Sequence, residues 1–292
     1  MTPLIIRHET VYTYSKPVRL GQHRLFIRPR SGHDIRVVGS LLDITPQPQV
    51  ITWTRDVHSN SVAFADFGPD PATELVIRSE IALEHYDDSP PDFSLDARAV
   101  NFPFLMLPHE RIELSPYLIP SYPDDQMAVG QWAHSFWSPG QPIETYVLLD
   151  RMNQNIAREL AYCARDTPGV QRPGLTLKLG SGSCRDLTTL FIEACRFLGL
   201  PARFVSGYAS TEQIPAALGA THAWAEVFLP GAGWKGFDST GGIVTGVRHI
   251  ATAVGRDPES LPPVSGSFVC DDLPVNSNLK VMVSVTTSAL AA

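Results

Sequence analysis

Cysteine pairs of the C-x-x-C type are missing from this chain of 292 residues, whose four cysteines stand far apart at positions 163, 184, 195 and 270. Such spacing provides neither a zinc site nor a disulfide framework. The chain also lacks any run of about 20 apolar residues, which excludes a membrane-spanning helix. Its N-terminal segment reaches charged residues too early for the apolar stretch of a signal peptide. We therefore expect a cytoplasmic protein without a membrane partner.

Charge is scarce as well, since Asp, Glu, Lys and Arg make up only 18% of the residues and the formal net charge is −7. Nucleic acids and anionic membranes bind clustered Lys and Arg, so this mildly acidic composition argues against both as partners. The hydrophobic fraction of 43% is ordinary for a globular protein. A chain of this length can build two separate cores. The composition leaves the oligomeric state open.

The first hundred residues predict strands and no helix of useful length. Alternating, β-branched and aromatic residues mark five strands, with turn clusters rich in Gly, Pro and Asp between several of them. The predicted strands cover residues 10–14, 23–28, 35–38, 62–67 and 74–83. We therefore predict an antiparallel β-sandwich-like domain over residues 1–110.

Residues 111–292 predict a second domain that mixes helices and strands. Leu148, Met152, Ile156 and Leu160 recur at every fourth position and predict a helix over 143–162. A second helix is expected from Cys184 to about residue 198, because glycine and proline follow it. Further strands are predicted over 202–208, 222–229, 234–238 and 279–285.

The segment 180–186 places a cysteine among small and polar residues at the expected start of a helix. Two glycines and Ser183 allow a tight entry of the backbone and leave the sulfur accessible. The positive end of the helix macrodipole stabilises the thiolate, which is the nucleophilic form of cysteine. We therefore expect Cys184 to be a nucleophile and its backbone N–H to serve as an oxyanion donor. The alternative is a buried structural cysteine.

Two further residues complete the expected chemistry. His222 opens one predicted strand, Asp238 ends the next, and Pro230 lies midway in the predicted turn. A hairpin paired about this turn places the imidazole opposite the carboxylate, unless a bulge at 231–233 shifts the register by a residue. Along the chain the thiol comes first, then the candidate base, then the residue that would orient the base. This order predicts a triad of Cys184, His222 and Asp238.

Other candidate residues receive structural interpretations. Asp186 stands in the first helical turn, where we expect it to cap the helix or complement its dipole and not to act as the general base. Cys163 and Cys195 are expected to be buried thiols on apolar helix faces. The remaining histidines, His249 among them, have no metal-ligand spacing and are interpreted as ordinary.

Several segments together resemble the bacterial transglutaminase-like superfamily. They are Gly-Ser-Cys-Arg-Asp at 182–186, the run from Leu-Gly-Leu-Pro at 198–208, His-Ala-Trp at 222–224 and Gly-Trp-Lys-Gly-Phe-Asp at 233–238. Residues 249–264 resemble it too, and residues 12–30 resemble the β-rich N-terminal domain of that group. The chain departs from the family after Asp238, where Ser-Thr-Gly-Gly stands in place of the frequent Pro-Thr-Asn-Gly.

The resemblance implies an α+β fold in which the N-terminal antiparallel β-sandwich-like domain precedes a papain-like, transglutaminase-like core. In that core a helix that carries the cysteine packs on an antiparallel sheet. It also implies Cys184, His222 and Asp238 as the triad of an enzyme that cleaves amide or peptide bonds through a thioester. We expect a peptidase or amidase that acts on peptides or proteins without cofactor or metal. Transamidation to an amine and a non-catalytic scaffold remain alternatives.

Overall fold

The computed structural model describes residues 2–86, 93–165, 169–210, 220–272 and 274–287. In these ranges the strands are β1 (Thr2–Leu25), β2 (Ile35–Thr45), β3 (Val50–Arg55), β4 (Ser61–Asp66), β5 (Ala72–His85), β6 (Asn101–Phe102), β7 (Ile143–Glu144), β8 (Ala161–Tyr162), β9 (Ser181–Gly182), β10 (Ala202–Ala209), β11 (His222–Leu229), β12 (Gly233–Asp238), β13 (Ile243–Val244), β14 (His249–Gly255), β15 (Val264–Val269) and β16 (Ser277–Thr287). The α-helices are α1 (Pro108–Glu113), α2 (Gln126–Ala133), α3 (Thr145–Glu159), α4 (Pro173–Leu179) and α5 (Cys184–Phe197).

One long strand organises the N-terminal part of the molecule. The first half of β1 pairs with β5 and β16, and its second half pairs with β4 and β15, all antiparallel. β2 lies outside β5 and β3 lies outside β4. A shared apolar core, which includes Val18, Leu25 and Leu75, joins the two parts of this sheet. The arrangement confirms the predicted antiparallel, sandwich-like module, although the sequence had indicated two strands where β1 is continuous.

The last two strands return to this first sheet. Residues 4–14 of β1 lie opposite residues 277–287 of β16, and β15 pairs with the other half of β1. The predicted division at residue 110 therefore separates these strands from the sheet that they join. Packing explains the return, because Val283 is buried against Leu4 and Ile6 of β1. Sequence periodicity indicated the strand over 279–285 but carried no information about its partner.

The second part is built on a five-stranded antiparallel sheet in the order β13-β12-β11-β10-β14. Helix α5 packs on β11 and β10. Its apolar residues Leu187, Leu190 and Phe191 are buried in a core that also contains Leu148 and Met152 of α3. These contacts confirm the predicted helix on an antiparallel sheet, with α5 beginning at Cys184 as expected. The short helices α1, α2 and α4 and the strand β14 were not predicted.

A buried network joins the two parts behind the site described below. Tyr208 of β10 packs with Ile6 and Ile81 of the first sheet. Its hydroxyl donates to the Ile27 carbonyl at 3.0 Å and lies 2.8 Å from His8 Nδ1. Burial lowers the pKa of His8 to about 4, so this imidazole is neutral near pH 7. The network fixes β1 against the sheet that carries the site.

No helix in the described part of the chain combines the length and the apolar character that crossing a bilayer requires.

Candidate active site

Cys184 is the first residue of α5 and is half-buried. Ser183 precedes the helix in an extended conformation, and its carbonyl accepts from the N–H groups of Asp186 and Leu187 at 3.0 Å. The sulfur thus stands at the positive end of the helix, where backbone N–H groups without intrahelical partners stabilise negative charge. The local sequence produces this placement because Gly180, with a φ of 63°, ends α4 and turns the chain towards α5.

Asp186 anchors the loop in front of the nucleophile. Its fully buried carboxylate accepts from the Ser183 N–H and hydroxyl at 2.8 Å, and from the Gln171 N–H and Arg165 Nη1 at 2.7 Å. Burial alone would raise the pKa of the Asp186 carboxyl, but Arg165 and these donors outweigh burial and lower it. Gly182 must remain a glycine here, since a Cβ would lie 2.8 Å from Asp186 Cβ. These contacts agree with the predicted capping role.

His222 and Asp238 meet on neighbouring strands of the sheet. His222 Nε2 lies 2.8 Å from Asp238 Oδ2, and both side chains are almost completely buried. The Cys184 thiol lies close enough to His222 to contribute to the raised pKa of the imidazole, and both residues line one cleft. Because Nε2 faces the carboxylate, Nδ1 is the ring nitrogen left for the thiol. The structure therefore brings together all three residues that the sequence analysis had selected.

The hairpin that joins β11 to β12 differs from the predicted one by two residues. Glu226 pairs with Gly236 and Leu229 pairs with Gly233, so the hairpin is centred on Gly231 and not on Pro230. Gly231 has a φ of 86°, a conformation that favours glycine in this turn. His222 and Asp238 are consequently diagonal neighbours and not directly opposite. A shift of two residues keeps both side chains on the same face of the sheet, so their contact survives.

The electrostatics of this pair favour an imidazolium beside a carboxylate. Burial disfavours a charged imidazole, but the charge and hydrogen bond of Asp238, together with Cys184, outweigh it and raise the pKa of His222 above its usual range. For Asp238, burial favours the neutral acid, yet His222 and His249 outweigh burial and hold the pKa of the carboxyl well below its ordinary value.

His249 is the residue of the site that the sequence analysis missed. It opens β14, is buried, and places Nε2 3.0 Å from the same Asp238 Oδ2 that contacts His222. The interpretation of His249 as an ordinary histidine is therefore wrong. In the sheet, β14 is separated from β12 by β11 and β10. No local sequence pattern therefore indicated the contact between His249 and Asp238. The available signal was a histidine at the head of an apolar segment that follows closely after Asp238.

A metal ion is not needed to explain this cluster. His222, Asp238 and His249 offer three possible ligand atoms within 4.8 Å of one another. The two Nε2 atoms, however, are already hydrogen-bonded to Asp238 Oδ2 at 2.8 and 3.0 Å. Hydrogen bonds therefore account for the close approach of the three side chains.

A cleft of about 670 Å³ lies beside the thiol and is lined by both parts of the molecule. His8, Thr10 and Tyr12 of β1 form part of its wall, while Cys184 and His222 belong to the wall contributed by the second part. Strand β1 of the first sheet therefore helps to shape the space in which a substrate would meet the sulfur.

The other cysteines lie in different environments. Cys195 is fully buried, and burial raises the pKa of its thiol far above the usual value. Cys270 is half-buried, and Cys163 is exposed. The prediction of a buried Cys163 is wrong because α3 ends at Glu159, four residues before this cysteine. Of the four thiols, Cys184 alone lines the cleft beside His222 in the described part of the chain.

Comparisons with known proteins agree with this architecture. Residues 4–84 match the family described as the bacterial transglutaminase-like N-terminal region, and residues 141–239 match the transglutaminase-like superfamily. Two uncharacterized proteins, Mb2599c of Mycobacterium bovis and Rv2569c of Mycobacterium tuberculosis, are each 29% identical over 300 residues, which cover 96% of this chain and 91% of theirs. A solved structure from Cytophaga hutchinsonii, described provisionally as a cysteine protease, is similar over 100% of this chain and 91% of that one, with a TM-score of 0.73 and 19% identity. At that identity the similarity concerns the fold.

Proposed function

Since the chain belongs to the transglutaminase-like superfamily, a family of cysteine-dependent enzymes, we propose that it is a thiol acyl-transfer enzyme that cleaves amide or peptide bonds. The observation that carries the proposal is the hydrogen bond between His222 and Asp238 at 2.8 Å, with Cys184 at a helix start in the lining of the same cleft as His222. A nucleophile, its base and the orienter of the base are the minimal parts of such a catalyst.

In the proposed reaction the Cys184 thiolate attacks the carbonyl carbon of the scissile amide. In this reaction the backbone N–H of Cys184, at the start of α5, donates to the oxyanion of the tetrahedral intermediate. His222 then gives its proton to the departing amine, and the C–N bond breaks to leave a thioester on Cys184. Water attacks this thioester while His222 takes up a proton, the C–S bond breaks to release the acid, and the pair of thiolate and imidazolium is regenerated. Asp238 stabilises the imidazolium throughout.

We expect hydrolysis, with the protein acting as a peptidase or amidase on peptides or proteins. An amine in place of water would give transamidation through the same thioester. A screen of peptides and isopeptides with wild-type protein, with and without a primary amine, separates the two outcomes. A free acid as the dominant product in both conditions supports the peptidase, whereas an amine adduct that replaces the acid supports the transglutaminase. The cytoplasmic location inferred from the sequence remains a prediction.

Alkylation by iodoacetamide tests the proposal without knowledge of the substrate. At about pH 6.5 we expect Cys184 to react at least about tenfold faster than Cys163 and Cys270, because only a thiolate stabilised by the helix and the imidazolium is abundant at that pH. Cys195 is buried and serves as the internal negative control, because iodoacetamide should not reach it in the folded protein. Peptide mapping by mass spectrometry gives the four rates. Equally slow reaction at Cys184, Cys163 and Cys270 would favour a scaffold that keeps the fold without turnover.

A further inference from the structure

The carboxylate of Asp238 accepts hydrogen bonds on both of its oxygens. The N–H groups of Thr240 and Gly241 donate to Oδ1 at 2.9 and 3.4 Å. His222 and His249 both approach Oδ2, at 2.8 and 3.0 Å. A carboxylate with this number of donors has little freedom to rotate, and each donor favours its ionised form. Of the two histidines that approach Asp238, His249 is the one that lies outside the triad.

Backbone contacts fix the tautomer of His249. The Gly246 N–H donates to Nδ1 at 3.4 Å, and the His249 N–H donates to the Gly246 carbonyl at 2.8 Å. An Nδ1 atom that accepts a hydrogen bond carries no proton, so the neutral ring carries its proton on Nε2 and donates it to Asp238. The His249 ring also makes an edge-to-face contact with Trp224, with 5.3 Å between the ring centres. This contact helps to hold the ring in the orientation in which Nε2 faces Asp238.

We propose that His249 is a positioning residue, whose Nε2–H holds Asp238 Oδ2 at the place where it can stabilise the His222 imidazolium. The inference rests on the proposed function, because the imidazolium matters only if Cys184 reacts as a thiolate. His249 acts through Asp238 and has no direct contact with Cys184 in the described residues. Without its hydrogen bond the Oδ2 end of the carboxylate retains one partner, the charged His222, and is free to move away from the ideal direction.

Alkylation of Cys184 by iodoacetamide as a function of pH provides the test. In a His249→Phe variant, which keeps an aromatic ring beside Trp224 but removes the N–H, we expect the pH midpoint of alkylation to rise by roughly one unit, the effect of one lost hydrogen bond to a charged group. A His249→Gln variant can still donate to Asp238 and should recover most of the wild-type midpoint. Asp238→Asn should shift the midpoint in the same direction by more.

Three outcomes are distinguishable. If wild-type Cys184 shows no selective reactivity, the proposed function fails. If wild-type Cys184 is reactive and His249→Phe keeps the wild-type midpoint, the positioning role fails while the proposed function stands. Should the Phe variant not fold, ¹⁵N NMR of histidine-labelled wild type decides, since the role requires a proton on His249 Nε2, and a ring protonated on Nδ1 alone would overturn it.

A second inference comes from Arg185, which occupies a place where positive charge is unfavourable. It is the second residue of α5, at the helix end whose dipole repels cations. It lines the cleft next to Cys184. The neighbouring Arg165 is compensated by buried Asp186 at 2.7 Å. The Arg185 guanidinium, in contrast, has neither a hydrogen bond nor an ion pair with a residue in the described ranges; only the backbone carbonyl of Arg185 is hydrogen-bonded, to the Thr189 hydroxyl at 2.7 Å. Local violations of this kind are expected where a side chain serves a ligand.

We infer that Arg185 binds a carboxylate of the substrate close to the scissile bond, so that acidic peptides are the preferred substrates. This inference also builds on the proposed function, and it names the substrate class of the same cleft. A guanidinium is suited to this role because it forms two parallel hydrogen bonds with a carboxylate. The cleft lining also contains the acidic residue Glu259. Its carboxylate accepts a hydrogen bond from the Tyr122 hydroxyl at 2.8 Å and is not the partner of Arg185.

The rate ratio of iodoacetate to iodoacetamide at Cys184 tests the inference, because the two reagents differ in a carboxylate. After normalisation to the same ratio at Cys270, we expect Arg185→Gln to lower the Cys184 ratio about tenfold and Arg185→Lys to retain a larger part of it. Added salt should reduce the wild-type ratio more than that of the Gln variant. An unchanged ratio in Arg185→Gln, with both reagents still fast at Cys184, would overturn the role of Arg185 and leave the proposed function intact.

Discussion

Replacement of Cys184 by alanine is expected to lower amide cleavage by about 10⁴- to 10⁶-fold, the range found when single members of a catalytic triad are removed. The expectation follows from the contacts of the sulfur, since no other thiol in the described residues lines the cleft beside His222. The helix and His222 cannot form a thioester without it. The measurement is the rate of cleavage of a peptide selected by the wild-type screen.

The matched control is Cys270→Ala, which removes a half-buried thiol outside the cleft lining. This variant should cleave the same peptide within about twofold of the wild-type rate, because surface changes away from a site have small effects. Helix α5 should stay intact in Cys184→Ala, as its buried residues Leu187 and Leu190 are unchanged. Retention of more than about a tenth of the activity by a folded Cys184→Ala protein would show that the sulfur is not the nucleophile.

The parts of the site that sequence reasoning recovered are those encoded locally. Cys184 stands out because glycine, serine and a helical pattern surround it within one segment. His222 and Asp238 belong to one hairpin, so the alternation of a strand places them on one face even though the register differs by two residues. His249 depends instead on the order of strands in the sheet. β14 lies beside β10, and no periodicity specifies that neighbour.

The same distinction applies to the fold. The helices over 145–159 and 184–197 were predictable because their apolar residues recur with the helical period. The pairing of residues 4–14 with 277–287 joins the two ends of the chain and is determined by packing of Val283 against Leu4 and Ile6. Such long-range pairings have no signal in either segment alone. The predicted division of the chain into 1–110 and 111–292 therefore reflects local sequence patterns, whereas the first sheet contains strands from both ranges.

A buried ion pair on α5 provides the largest expected effect on stability. Glu193 and Arg196 are almost inaccessible, and their side chains are 2.8 Å apart. Glu193 also accepts from the N–H groups of Ser121 and Tyr122 at 3.1 Å, while Arg196 donates to the Ala202 and Arg256 carbonyls. The pair thereby ties the segment before α2 to the helix that begins with Cys184.

Glu193→Ala is expected to destabilise the protein by about 3 kcal/mol, because the buried Arg196 guanidinium then loses its partner at 2.8 Å and keeps only the half-buried Asp257, at 3.7 Å, as a counter-ion. For a chain of this size that corresponds to a fall of roughly 5 °C in the midpoint of thermal unfolding, which calorimetry measures. Glu193→Gln retains an acceptor for the backbone N–H groups but loses the charge, so a smaller loss is expected. The exposed pair of Arg7 and Glu80, also 2.8 Å apart, is the comparison.

Glu80→Ala breaks an ion pair of the same length and should change the stability by less than about 1 kcal/mol, since both side chains are more than half exposed and solvent screens them. Similar losses for Glu193→Ala and Glu80→Ala would mean that the buried pair is hydrated in solution. Glu193 and Cys184 lie at different ends of α5. The folded fraction of Glu193→Ala should therefore alkylate Cys184 at the wild-type rate. A loss of stability without a loss of thiol reactivity would separate the support of the helix from the chemistry at its first residue.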